Sequence, residues 1–234
     1  MALLGASFAP RAAAFASRAH SRAFSARLWE VFSAQRRAER RAALGEELRR
    51  GYFDDLRDLK ADGGKQASSS LLSDAHTSMP FPALALVDAH GQPAVVPAPG
   101  FVSLVFRAGA QRAADGWTTG IAEVLGAHPG ALSFAQLSLV ESWLFGLPGL
   151  RQLVLRAGAR PPLPGGLGSH VFLFGSAEAL RRQLGLHNRL TAHVVLLDTA
   201  RRVRWKASGQ ATPAELETAK RLAAQMLVEQ GRIL

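Results

Sequence analysis

HNRLTAHVVLLDTARRVRWKASGQATPAEL, His187–Leu216, holds two strands and a helix start within one short span. TAHVVLLD, Thr191–Asp198, is dense in aliphatic and β-branched residues and predicts a strand. Thr199-Ala200-Arg201 reads as a turn, and RVRWKAS, ending at Ser208, as a second strand. With so short a connection, an antiparallel hairpin is the natural geometry. Thr212 then stands at a helix N-cap, with Pro213 at the first helical position and Glu215 at the third, which makes a capping box. The helix that follows carries Leu216, Leu222, Ala223, Met226 and Leu227 mostly on one face.

Within this stretch, strand alternation puts Trp205 on the face of Val203 and puts Arg204 with Lys206 on the other. Two readings of Trp205 stand side by side. It is either a core side chain against the last helix, or an edge exposed beside Arg204, the aromatic-plus-guanidinium pairing of binding hot spots. Asp198 either closes the turn or pairs with Arg204 across the hairpin. Asn188 suits loop or cap chemistry, and Gly209 a backbone shape.

Upstream, strand and helix signals alternate. Ser176 is positioned to cap the helix SAEALRRQLG, with Glu178 in its first turn and Gly185 past its end. FPALALVDAHGQP reads as a strand followed by a turn. FVSLVFRA, Phe101–Ala108, bounded by Gly100 and Gly109, is a buried strand. A helix is expected from Ala113 to Leu125, ended by Gly126 and Pro129. LSFAQLSLVE is a strand candidate and WLFGLPGLRQLVLRAG an interrupted helical or loop segment. ARPPLPGGLG is a loop, and SHVFLFG a short strand or turn. The order fits a thioredoxin-like α/β domain: a mixed central sheet, helices on both faces, and a final hairpin plus helix.

The chain has no cysteine. Disulfides, thiol nucleophiles, Cys-ligated zinc and iron–sulfur clusters are thereby excluded. In a thioredoxin-like domain the redox motif opens the helix after the strand matched by FVSLVFRA. Here that place is held by Ala110-Gln111-Arg112-Ala113, and no proline stands near Ala192, where a cis-proline would line the same site. Thiol exchange needs a thiolate, so the redox site is degenerate. None of the seven histidines (His20, His76, His90, His128, His170, His187, His193) is spaced from another His or a carboxylate as in a zinc helix. GGLGSH lacks the Gly-Lys-Ser/Thr ending of a phosphate loop, and no Ser sits in a nucleophile elbow. Asp54-Asp55 and Glu46-Glu47 lie in a charged, solvated stretch. No catalytic residue, metal or cofactor is expected, and the chain does not read as an enzyme.

The formal charge is +10, from 28 Lys+Arg against 18 Asp+Glu. Arg11, Arg18, Arg22 and Arg27 sit among Ser, Ala and spaced Phe and Leu with no acid before Glu30, the pattern of an organelle transit peptide. We read residues 1–26 as a mitochondrial transit peptide, with the chloroplast as the rival destination. Residues 27–62 form a basic helical arm, in which Glu46 and Arg50 pair at i,i+4. Arg36, Arg37, Arg40 and Arg41 there face either solvent or an anionic surface, lipid or nucleic acid. Residues 63–79 read as a linker, and 80–234 as the folded domain. The apolar region Leu132–Leu155 is broken by Gln136, Glu141, Pro148, Arg151 and Gln152, so it does not read as a membrane span.

The opening stretch also resembles the signature of the ATP-ten family, mitochondrial assembly factors for the membrane (Fo) sector of ATP synthase. The matching positions are Asn188, Asp198, Val203, Arg204, Trp205, Ser208, Gly209, Ala211, Thr212 and Glu215. Weaker similarity, in FVSLVFRAG and FAQLSLVESWL, extends it over about Phe81–Leu227. Where the family has Gly-Tyr before the strand, this chain has Ala192-His193. The resemblance implies a chaperone-like factor that binds newly made subunit a and helps it join the c ring, from the matrix face of the inner membrane. The candidate partner-binding residues are Asn188, Asp198, Arg204, Trp205 and Gly209, with Arg204 and Trp205 as the expected contact surface. Two other classes compete: a basic mitochondrial nucleic-acid-binding protein, which lacks the aromatic platform of such modules, and a cysteine-free enzyme of glutathione-conjugating type, for which no residue supplies the chemistry.

Overall fold

The computed structural model describes residues 65–66, 68–142, 147–158 and 168–231, with Arg57, Lys60 and Phe145 as single positions, all within one compact unit, Tyr52–Leu234. The expected transit peptide, nearly all of the basic arm, and all of the loop ARPPLPGGLG but its final Gly168 lie outside the described residues.

The strands are β1 (Leu86–Asp88), β2 (Pro93–Ala94), β3 (Gly100–Val105), β4 (Ser133–Val140), β5 (Gly168–Phe174), β6 (His193–Leu197) and β7 (Val203–Ser208). The helices are α1 (Gln111–Ala127), α2 (Pro148–Gly158), α3 (Glu178–Leu184) and α4 (Pro213–Glu229). One sheet runs β2-β1-β5-β4-β3-β6-β7. β3 pairs parallel with β4, and β4 with β5. β6 lies antiparallel to β3, and β7 antiparallel to β6. A parallel β-α-β unit flanked on its first strand by a β-β-α unit is the thioredoxin-like arrangement expected from the sequence.

Side-chain alternation splits the core between the two faces of the sheet. On one face Phe101, Val194, Leu196 and Trp205 meet Trp117 and Ile121 of α1 and Leu222, Met226 and Leu227 of α4. On the other Val102, Leu104, Leu137, Val195 and Leu197 meet Leu180 and Leu184 of α3. All six residues of β3 are buried, as its central place requires. Gly120 lets α1 and α4 approach closely, because a Cβ there would collide with Leu216.

Most elements fall where the sequence puts them, and the exceptions have local causes. SHVFLFG is no turn: β5 is a seven-residue strand between β1 and β4. Its apolar run lacks clean alternation because both faces are packed, Val171 and Leu173 into the core on the α3 face and Phe172 against Gly158 of α2. Ser176 does not occupy the cap position of α3. Ala177 does, and the Ser176 hydroxyl accepts a hydrogen bond from Glu178 N at 3.3 Å from one residue earlier. The capping box of α4 is present as read, with Glu215 N donating to Thr212 Oγ1 and Thr212 N to Glu215 Oε2. No helix among the described residues is long and apolar enough to cross a membrane.

Candidate functional site

Two places invite a functional reading: the position of the lost redox motif, and the β6–β7 hairpin. At the first, β3 leads through Phe106 and Arg107 into a single 3-10 turn, Ala108–Ala110, and then α1. A cleft of about 500 Å³ opens there, bordered by Gly109, Ala110, Arg112, Thr191, Thr212 and Lys65 among others. Lys65 donates to Glu215 Oε2 at 2.6 Å. Burial pushes the Glu215 carboxyl up, but hydrogen bonds from Lys65 and Thr212 outweigh it and hold it below its ordinary value. The Thr212 hydroxyl is committed to the helix cap. Gln111 is committed to a reciprocal pair with Gln136 at 3.2 and 3.0 Å. The cleft keeps the shape of a site without a thiol or imidazole in its wall. Among the described residues no group of His, Asp and Glu could hold a metal ion.

The hairpin is built differently from the expectation. A register shift between Leu196 and Leu197 pairs Leu196 with Trp205 and Leu197 with Val203, which leaves Arg204 as the extra residue of a bulge. The bulge separates two side chains that simple alternation places together. Val203 packs against the core on the α3 face, and Trp205 belongs to the core on the α1–α4 face. Trp205 is 2% exposed, so the reading of an exposed edge gives way to the core reading. Its ring meets Trp117 edge-on, centroids 5.9 Å apart. Both indole N–H groups are satisfied, Trp205 by the Ser69 carbonyl and Trp117 by the Gly209 carbonyl, each at 2.8 Å.

Arg204 is likewise buried. Its Nε donates to Ser73 O at 2.7 Å, its Nη2 to Glu229 Oε2 at 2.7 Å, and its Nη1 stands 3.8 Å from Asp198 Oδ2. Both readings of Asp198 therefore hold, since its Oδ1 also accepts from Arg202 N at 2.8 Å to close the turn. Asn188 Oδ1 accepts from Leu190 N at 2.8 Å, a local turn. The Asn188 carbonyl accepts from His193 Nε2 at 2.6 Å, which fixes the proton on that nitrogen. His193 meets Phe106 edge-on at 6.1 Å, and burial pushes its pKa down to about 4. Gly209 adopts φ +79° and donates its N–H to Ala192 O at 2.9 Å.

Arg204 and Trp205, with their neighbours on β7 and α4, pin the segment before the domain along the outer edge of β7. Gln66 N donates to Ser208 Oγ, Arg221 to Ser70 O, Ser73 N to Arg204 O, Arg202 to Ser78 O, and Val203 N to Met79 O. The described residues of the stretch expected to be a linker run as a strap that covers an edge strand which would otherwise bare unpaired backbone. Sequence reasoning missed Lys65, Ser69, Ser73, Trp117 and Glu229 as members of this network. Only the indole of Trp117 and the charges of Lys65 and Glu229 carried any signal, because the strap bonds chiefly through its carbonyls.

No curated protein matches the chain. Among solved structures it is similar to a thiol peroxidase from Chromobacterium violaceum at 14% identity, over 70% of this chain and 92% of that one, with a TM-score of 0.37. It is similar to BsSco, a member of the Sco family of cytochrome c oxidase assembly proteins, at 12% identity, over 66% and 98%, with a TM-score of 0.41. A reduced 2-Cys peroxiredoxin from Plasmodium vivax gives 15% identity, 66% and 96% coverage, and a TM-score of 0.39. Such scores add nothing to the strand order. A family model described as ATP10 protein matches residues 4–225, almost the whole chain. The chain therefore belongs to the ATP10 protein family, which takes part in assembling the mitochondrial ATP synthase.

Proposed function

We propose that this chain is a non-catalytic assembly factor for the Fo sector, working at the matrix face of the inner membrane. It holds newly made subunit a and hands it to the ring of c subunits. The family match over residues 4–225 is the observation that carries this reading. The cleft at the former redox position supports it, since a binding protein needs the scaffold and not the thiol. In this reading residues 1–26 direct import, 27–62 form a basic arm, 63–79 join that arm to the domain, and 80–234 form the binding body. Asn188, Asp198, Arg204, Trp205 and Gly209 serve binding by holding hairpin and strap in one shape, because their side chains lie inside or form turns.

The test is disruption of the gene, with assembled Fo and F1 measured separately. The expected outcome is that Fo falls while F1 still forms, and that the tagged chain co-purifies with newly translated subunit a. Normal Fo assembly in the disrupted cells would remove the proposal.

A further inference from the structure

Of the eight large apolar side chains exposed among the described residues, four fall within Phe145–Leu153. Leu150 and Leu153 on α2, with Leu147 just ahead of its first residue, recur every third residue and so form one stripe over the start of the helix. They are 47%, 38% and 62% exposed, and Phe145 beside them is 39% exposed. The opposite side of the helix is already used. Leu155 is buried, and Gly158 sits so close to the ring of Phe172 that a Cβ would meet it at 2.8 Å.

Charge along this part of the chain has one sign. No Asp or Glu occurs between Glu141 and Glu178, whereas Arg151 and Arg156 lie on α2 itself. Arg151 stacks on the ring of Phe174 at 4.8 Å, which holds its guanidinium in place. A hollow of about 530 Å³ between α2 and the turn of β1 and β2 is lined by Arg151, Arg156, Gln152, Leu155 and the Ala89–Gly91 turn, His90 included. Asp88, at the foot of that turn, already accepts the N–H groups of His90 and Gln92, both at 2.8 Å. No described carboxylate forms an ion pair with either arginine.

We propose that the outer face of α2 docks on a bilayer surface bearing anionic phospholipid, with Phe145, Leu147, Leu150 and Leu153 entering the acyl boundary and Arg151 and Arg156 meeting the phosphates. An apolar stripe on a convex helix, flanked by cations, lies flat in a headgroup layer. A protein segment would call for an apolar groove, and the hollow beside this stripe is walled by arginines instead. Lipid phosphate supplies the complementary charge, and each Arg near such a surface adds an attraction that salt screens.

The experiment is flotation of the purified full chain with phosphatidylcholine vesicles that contain or lack phosphatidylglycerol. Three variants are compared: Leu150→Ser/Leu153→Ser, Arg151→Gln/Arg156→Gln, and an arm variant with Arg36, Arg37, Arg40 and Arg41 changed to Gln. The wild type is expected to float with the anionic vesicles, and each α2 pair to weaken binding about tenfold or more. Added salt should erase the arginine effect and leave the leucine effect. Because the substituted leucines are exposed, unchanged melting curves accompany the loss. No binding by the wild type, or binding that only the arm variant weakens, overturns the proposal. So do leucine variants that float normally yet no longer capture subunit a, which would assign the face to a protein, or that abolish a dimer in solution, which would assign it to a second copy. Vesicle binding uses no ATP synthase component, so this test and the assembly test fail separately.

Discussion

Around β7 an arginine, an aspartate and two tryptophans are turned inward and every polar group on them is spoken for, whereas along α2 leucines are turned outward beside arginines that pair with no described carboxylate. The hairpin motif positions Asp198, Arg204 and Trp205 lie in the first region, whereas the family match over residues 4–225 spans both. The contrast teaches that a sequence signature need not mark a contact surface. Arg204 and Trp205 are recognisable because their environment tolerates few alternatives: a bulge, a buried guanidinium and an indole donor must all be served together. The surface that can touch a membrane or a client needs only exposed apolar area and charge of one sign, which many sequences provide.

The comparison breaks most easily at Trp205. Trp205→Ala removes a buried ring from between α1, α4 and the strap and should cost about 3–5 kcal/mol. In a domain of this size that lowers Tm by about 10 °C, read by thermal melting. A melt within a degree or two of wild type would return Trp205 to the surface.

Next comes His193. Its pKa is about 4 in the folded chain against an ordinary 6.5, so the unfolded chain binds the proton more readily. Stability is therefore full above pH 6.5, falls as pH drops toward 4, and loses at most about 3 kcal/mol over that window. His193→Gln should flatten this limb in denaturation curves taken at several pH values. An unchanged acid limb would show that the imidazole is not held neutral against Phe106 and the Asn188 carbonyl.

A smaller effect belongs to the cap. Thr212→Ala leaves Glu215 N without its acceptor and should cost about 1 kcal/mol by denaturant titration. Glu215 also binds Lys65, so the loss should extend to the strap as faster amide exchange near residue 65. Unchanged exchange there would separate the cap from the strap. Smallest of all is Leu153→Ser, 62% exposed, which should leave stability within about 0.5 kcal/mol of wild type. A large loss there would mean that α2 packs against something else.

The hairpin, the α4 capping box and the empty redox position were legible because each depends on residue types at fixed local spacing. The bulge at Arg204 was not, since it is set by register against β6, and the letters of RVRWKAS alternate as any strand does. The strap escaped notice because its Ser-rich letters are those of a tether, while its hold comes from backbone carbonyls that accept from Arg204, Trp205 and Arg221. α2 reads ambiguously because it is apolar on two sides, one for Phe172 and one for the outside. The periodicity of such a helix says nothing about which side is covered.

The most direct measurement compares two variants in the same cells, scoring the level of this chain and the amount of assembled Fo. The account predicts that Leu150→Ser/Leu153→Ser accumulates normally yet lowers Fo while F1 still forms, and that Trp205→Ala loses the chain itself. Full Fo assembly with the leucine pair, or a Trp205→Ala chain that accumulates normally and still fails in assembly, would contradict it.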